Sequence, residues 1–267
     1  MSADSLFERA LACLHAADID SKLAQTHEVA EQWRDGALRL LADAPAQAIE
    51  QPGLPRELRL VHPRELETRG LDTPRGHGAL VHAICHIEFN AINLAWDAVY
   101  RFRDMPRAYY DDWVRVAVEE AGHFALLRAH LETLGWHYGG FPAHNGLWEM
   151  AVDTAHDVLV RMALVPRVLE ARGLDVTPGI VERLSRAGDE RAVEILGIIQ
   201  RDEIGHVEIG TRWFNYLCEQ RDLRPLPTFE GLLERYMKGR IRGPFDRQAR
   251  LQAGFTEDEL EYLEGVG

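Results

Sequence analysis

Two Glu-x-x-His steps carry the chemistry of this chain. One is Glu120-Ala121-Gly122-His123 and the other is Glu203-Ile204-Gly205-His206. A further acid precedes each step, Glu119 in the first and Asp202 in the second, and a lone glutamate lies upstream of each, Glu88 and Glu170. The two sets sit in nearly matching register along the chain. Residues three apart on an α-helix are surface neighbours, with Cβ atoms about 5–6 Å apart, so a Glu and a His so spaced can reach one cation. Two lone glutamates and two Glu-x-x-His steps on four helices make up the ligand set of a di-iron or di-manganese carboxylate centre.

The three-residue spacing is weak by itself. With 25 Glu and 12 His in 267 residues, composition alone yields roughly one such pair by chance. The signal lies in the doubling, the shared preceding acid and the lone Glu in register with each half. The helical neighbours of these glutamates are largely apolar: Ile84, Cys85, Ala91 and Ile92 around Glu88, Val116, Ala117 and Phe124 around Glu120, and Ile199 and Val207 around Glu203. An ionised carboxylate facing a core is costly unless it is paired or binds a metal. Converging acids raise one another's pKa, and divalent cations remove that repulsion. The competing account makes each step a solvated helix pair contributing a few tenths of a kcal/mol.

In this reading the metal ligands are Glu88, Glu120, His123, Glu170, Glu203 and His206, with Glu120 and Glu203 bridging and each histidine binding one metal. Glu119 and Asp202 are candidates for holding the ligand histidines of neighbouring helices. Oxygen-rich coordination with one imidazole per metal suits iron or manganese better than copper. Gly122 and Gly205 precede the two histidines, and each costs about 1 kcal/mol relative to Ala in a helix interior. Close helix packing is the expected reason, with room for a small ligand as the alternative. Pro166, four residues before Glu170, predicts a kink.

Positioning this set requires long helices. Helical spacing is expected over 4–16 and 21–43, the second capped by Ser21. Residues 44–75 carry Pro45, Pro52, Pro55, Pro63 and Pro74 and read as a wrapping segment on the surface. Ligand-bearing helices are expected over 78–103, 107–134, 147–172 and 189–219, with a short helix at 177–187 between the last two. Phe255-Thr256-Glu257-Asp258-Glu259 reads as the capped start of a final helix. The division is an N-terminal helical appendage with the wrapping segment (1–75), a metal-binding bundle (76–220) and a C-terminal extension (221–267). His82, His86, Asn90, Asn93 and Asp97 form a polar stripe, expected on a solvated face, with a channel lining as the alternative. Trp96, Trp113, Tyr109 and Tyr110 are expected in the core rather than as electron relays.

Composition restricts the function classes. A net charge of −13 repels phosphate backbones and disfavours broad nucleic-acid binding. Three dispersed cysteines, Cys13, Cys85 and Cys218, form neither a zinc pattern nor a disulfide framework, which fits a cytoplasmic location. The N-terminal residues lack the basic start and apolar run of a signal peptide, and no apolar run is long enough to span a membrane. No Gly-rich phosphate loop or G-x-S-x-G elbow stands out.

From about Gly76 to Glu219 the chain resembles the ferritin-like superfamily of di-metal carboxylate proteins. The blocks 82–93, 119–123, 168–178 and 202–206 are similar to an uncharacterised bacterial branch of it, catalogued as a domain of unknown function. The resemblance implies an all-α, ferritin-like four-helix bundle with N-terminal helices and a C-terminal extension. Two iron ions are the implied cofactor, with manganese or a mixed Mn/Fe pair as variants. The implied activity is an oxidoreductase activating O₂ or peroxide, a hydroxylase or oxygenase acting on an unknown small-molecule substrate. An electron-donor protein is the implied partner, and a homodimer an assembly open to it. The alternative is a ferroxidase or storage protein without an organic substrate, and a third reading is a structural bundle with a vestigial or zinc-filled site. There is no Cys-x-x-Cys rubredoxin module, which speaks against a full rubrerythrin, and no tyrosine can be placed as a radical beside the metals.

Overall fold

The computed structural model of the protein describes residues 4–42, 44–66 and 70–267. The N-terminal reading as a non-secretory start falls partly on residues 1–3, outside the described residues. The fold is all-α; among the described residues β-pairing is limited to two isolated bridges, Ser5 with Arg39 and Leu60 with Ala143. No described helix is long and apolar enough to cross a membrane. The chain divides into two compact units, one ending at Val152 and the other spanning Asp153–Gly267.

In the first unit α1 (Leu6–His15) and α2 (Ile19–Arg34) pack on the long helices α3 (Pro74–Arg101) and α4 (Arg107–Thr133), and α5 (Gly146–Asp153) follows. Helix α3 starts at Pro74, whose missing N–H costs nothing at the first helical position. The Thr73 side chain accepts from Gly76 N at its N-terminus. α4 packs back along α3 after a short connection. The second helix differs from expectation at both ends. Its cap is Asp18, whose carboxylate accepts from Ser21 N at 2.8 Å, and it stops at Arg34 rather than near residue 43. Gly36, at φ +74°, ends it: Gly36 N donates to Trp33 O and Ala37 N to Gln32 O, a Schellman closure that a left-handed glycine permits. Between residues 44 and 73 the described part of the wrapping segment is irregular apart from a 3₁₀ turn at Pro63–Glu65 and is tied down by hydrogen bonds of its backbone. Gln47 N donates to Tyr100 Oη, Glu50 O accepts from Trp148 Nε1, and Val61 N and Ala143 N donate to Ala143 O and Arg59 O.

The polar stripe of α3 is not solvated. His82, His86, Asn90, Asn93 and Asp97 are all 5% exposed or less. A buried polar group must find partners; segments distant in sequence supply them for His82, His86 and Asn93, and α3 itself supplies them for Asn90 and Asp97. Gly139 N donates to His82 Nε2, Tyr138 Oη lies 2.8 Å from His86 Nδ1, and Arg101 forks onto Asp97. Lys22 of α2 is fully buried and donates to Asn93 Oδ1 at 2.7 Å and to Cys13 O and Leu14 O at the end of α1. Burial pushes its ammonium down to about 7. The expected core aromatics Trp96, Trp113, Tyr109 and Tyr110 are buried.

The second unit holds α6 (Val158–Leu164), a π-helical segment (Val165–Glu170), α7 (Ala171–Arg186), α8 (Glu190–Gln220), α9 (Pro225–Tyr236), α10 (Arg247–Gln252) and α11 (Glu257–Val266). The helix expected over 147–172 is interrupted. Asp157 caps α6 by accepting from Leu159 N, and Thr154 Oγ1 accepts from the buried Arg161 Nε at 2.7 Å. Such side-chain acceptors compete with the helical ladder. The expected stop at Gly173 does not occur, and α7 runs through Gly173 and Pro178 to Arg186. Pro166 produces a π segment, where the ladder is already reset around the missing N–H. The final helix opens with the expected capping box between Thr256 and Glu259.

Glycine placement also departs from expectation. A Cβ on Gly122 or Gly205 would meet nothing within 4 Å, so close packing does not explain either. The packing glycine is Gly210 on α8, where a Cβ would stand 2.3 Å and 2.4 Å from the Pro166 ring. The π segment bearing Glu170 is seated on α8 through that contact. Gly210→Ala is expected to destabilise the protein by about 1–3 kcal/mol through overpacking. Gly205→Ala, on the same helix, should be neutral or stabilising by up to about 1 kcal/mol. Urea denaturation of the two variants checks the contrast, and equal midpoints would refute it.

Candidate metal centre

In the first unit Glu88 of α3 and Glu120 and His123 of α4 meet in the interior. All are 3% exposed or less. The helical turn from 120 to 123 stacks two ligands on one face of α4, and the packing of α3 against α4 brings in the third. His123 Nδ1 lies 3.3 Å from Glu88 Oε2 and 3.3 Å from Glu120 Oε2. The three side chains offer ligand atoms within 4.8 Å of one another. Around them Phe89 and Phe124 pack edge to face with each other, and both pack on Tyr138.

The electrostatics of this cluster are under strain. Burial, then the neighbouring Glu120 carboxylate, pushes Glu88 up to about 8. Burial opposes charge on His123, yet hydrogen bonding and attraction to Glu120 and Glu88 outweigh it and raise the ring to about 11. Glu88 Oε2 is buried, and the nearest cationic group to it is His123 Nδ1 at 3.3 Å. Two carboxylates and one imidazole are the hard-oxygen and nitrogen donors that divalent iron, manganese or zinc accept. The cluster can hold a metal ion.

In the second unit Glu203 and His206 lie one turn apart on α8 and are buried, with His206 Nδ1 3.8 Å from Glu203 Oε2. Glu170 is half-buried at the last position of the π segment, which packs on α8. Thus Glu88, Glu120 and His123 come together within one unit, and Glu203 and His206 reproduce the same helical step in the other. Glu119 and Asp202 are half-buried, and Asp202 lies 3.3 Å from Arg201 of its own helix. His156, on the Asp153-x-x-His156 step that imitates the ligand spacing, lies in the break before α6 and stacks on Tyr236. The three cysteines are free and buried.

Spacing gave no sign of two buried ion pairs in the second unit. Arg167 Nη2 binds Glu259 at 2.7 Å, and Arg250 binds Asp175 at 2.8 and 2.9 Å. The partners are 75 or more residues apart, beyond the reach of any local pattern. The one available clue was the basic run Lys238-Gly239-Arg240-Ile241-Arg242 in an otherwise acidic chain.

An all-α protein with a buried carboxylate–imidazole cluster fit for a cation is the class that these observations define. The chain belongs to the family described as "Protein of unknown function (DUF455)", whose model matches residues 15–261. It is similar to an uncharacterised protein of Haemophilus influenzae (strain ATCC 51907 / DSM 11121 / KW20 / Rd), 50% identical over 216 residues, covering 78% of this chain and 75% of that one. No solved structure matches the chain.

At pH 7 the shifted values leave Glu88 neutral and His123 charged. Metal ligands must be deprotonated, so cation binding here should release about two protons and tighten as pH rises from about 6 to 9. Calorimetric titration with Mn(II) in two buffers of different ionisation enthalpy reads the release directly. An observed heat independent of buffer would contradict it.

Proposed function

We propose that the protein is a di-iron, or Mn/Fe, carboxylate oxidoreductase of the ferritin-like kind, acting with O₂ or peroxide on a small organic substrate. In this proposal Glu88, Glu120, His123, Glu170, Glu203 and His206 would hold the two ions. The observation that carries it is the buried Glu88–Glu120–His123 cluster, two acids and an imidazole held together at a cost that only protons or cations relieve. Supporting it, Glu203 and His206 repeat the same buried helical step, and the π segment gives Glu170 a backbone setting out of α-helical register. Such π segments occur frequently at functional sites.

Bound iron or manganese would supply the electrons that reduce O₂ or peroxide. The chain's own side chains do the rest. Glu120 and Glu88 fix the orientation of the His123 ring, whose Nδ1 faces both carboxylates. Burial of Glu88, Glu120 and His123 keeps the first-unit cluster out of water.

The test begins with anaerobic loading of Fe(II) and measurement of bound iron per chain, followed by admission of O₂. The expected result is two ions per chain and oxygen uptake in proportion to them. Glu120→Ala and Glu203→Ala should each lower bound iron. Oxygen uptake absent from an iron-loaded protein would refute the oxidoreductase reading, and full iron binding by either variant would refute the proposed ligand set.

A further inference from the structure

The part of the second unit that carries Glu170 contains two prolines, Pro166 four residues before it and Pro178 eight residues after it. Each removes a backbone donor from its helix, and α8 answers both. The Pro166 ring sits against Gly210, where a Cβ would collide with it. Pro178 lies inside α7 and has no N–H to offer Leu174 O, the carbonyl four residues back. Leu174 is fully buried, so bulk water does not supply the missing donor. The side-chain amide of Gln200 on α8 does, with Nε2 donating to Leu174 O at 3.3 Å. A buried carbonyl without a donor is costly, so the proline and the glutamine act as a pair.

These two contacts bracket the proposed ligands of this unit. Pro166 and Leu174 stand four residues either side of Glu170. On α8, Gln200 stands three residues before Glu203, and Gly210 four residues after His206. Because Pro166 meets Gly210 and Leu174 meets Gln200, the two elements run antiparallel, with Glu170 on one and Glu203 and His206 on the other between the fastenings. Gln200 and Glu203, three residues apart, share a face of α8. The two fastenings differ in kind. The Pro166 ring on Gly210 sets how closely the elements approach at one end. The Gln200 bond is directional and fixes their register at the other.

We propose that Gln200 is a positioning residue of the metal centre: through Leu174 O, the carbonyl that Pro178 frees, it holds the Glu170 segment in register with Glu203 and His206. This inference rests on the reading of those three side chains as ligands. Gln200 is not itself a ligand; it acts through the backbone of α7. Ligand side chains must be held to within about 0.5 Å of their working geometry, which requires support from residues beyond the ligands themselves. Glu170 needs such support more than the other two, because it ends a π segment, whereas Glu203 and His206 share one continuous α-helix.

Two measurements on the full chain test the assignment: calorimetric titration with Mn(II), and urea denaturation of the metal-free protein. Gln200→Met keeps the side-chain length and loses the donor. It should lower the urea midpoint and weaken Mn(II) binding about tenfold. Pro178→Ala returns an N–H to α7, so that Leu174 O gains a helical partner. In the Pro178→Ala background, Gln200→Met should therefore leave the urea midpoint nearly unchanged yet still weaken Mn(II) binding, because the tie between α7 and α8 is lost. If Gln200→Met alone does not fold, the comparison within the Pro178→Ala background carries the test. Mn(II) affinity that Gln200→Met leaves unchanged in that background would reduce Gln200 to satisfying a carbonyl and overturn the proposal. Glu203→Ala is the control for the ligand reading and should lower the Mn(II) bound per chain. Full binding by Glu203→Ala would sink the ligand set and this proposal with it, whereas a loss there with none from Gln200→Met would sink the positioning role alone.

Discussion

The interior of the first unit is organised around a conflict between burial and charge. Packing α3 on α4 takes Glu88, Glu120 and His123 out of water together, and the low-dielectric surroundings magnify repulsion between the two acids. The imidazole relieves part of this by lying 3.3 Å from both carboxylates. What remains is expressed as raised proton affinity at Glu88 and His123. Sites that stabilise structure seldom carry such strain, because an apolar trio of similar volume would pack without it. A cation with two positive charges is the simplest species that converts the arrangement from costly to favourable.

Surrounding structure makes that burial possible by keeping other polar groups satisfied. The stripe on α3 places five polar side chains into the same interior; His82, His86 and Asn93 draw on partners from elsewhere in the unit, and Asn90 and Asp97 on their own helix. Lys22 illustrates the economy of this arrangement. Its ammonium closes two carbonyls at the end of α1 and one amide of α3, so a single buried cation joins three helices. The segment around Tyr138 and Gly139 serves α3 in the same way through His86 and His82. A rigid polar scaffold of this kind fixes the rotamers of the residues next to it.

The second unit relies on a different device. Pro166 resets the helix into a π segment, and Gly210 leaves a recess on α8 for the proline ring. The same segment carries Arg167 toward Glu259 of the final helix and ends at Glu170. The C-terminal helices are therefore structural members of the unit, joined to it by buried ion pairs and the aromatic rings stacked on them.

Local rules were enough to read the all-α class, the position of most helices and the ligand steps at 120–123 and 203–206, because helical period, caps and breakers act over a few residues. Thr256 and Glu259 were legible as a capping box for that reason, and the kink at Pro166 followed from a missing N–H. Where the second helix ends, where the helix after Gly146 breaks, and that α7 continues through Gly173 were misread, since Gly36, Asp157 and tertiary packing outweigh local propensity there. The stripe from His82 to Asp97 looks solvated in one dimension; Lys22, Tyr138 and Gly139, folded against α3, give the buried Asn93, His86 and His82 their partners. Gly122 and Gly205 look like packing residues by position, whereas on α8 it is Gly210 against which the Pro166 ring sits. Sequence alone therefore determined which side chains could bind a cation, through spacing on single helices. Tertiary structure decided that Glu88 joins Glu120 and His123 and that Arg167 and Arg250 find Glu259 and Asp175, because those contacts depend on how separate elements pack and no local pattern encodes them.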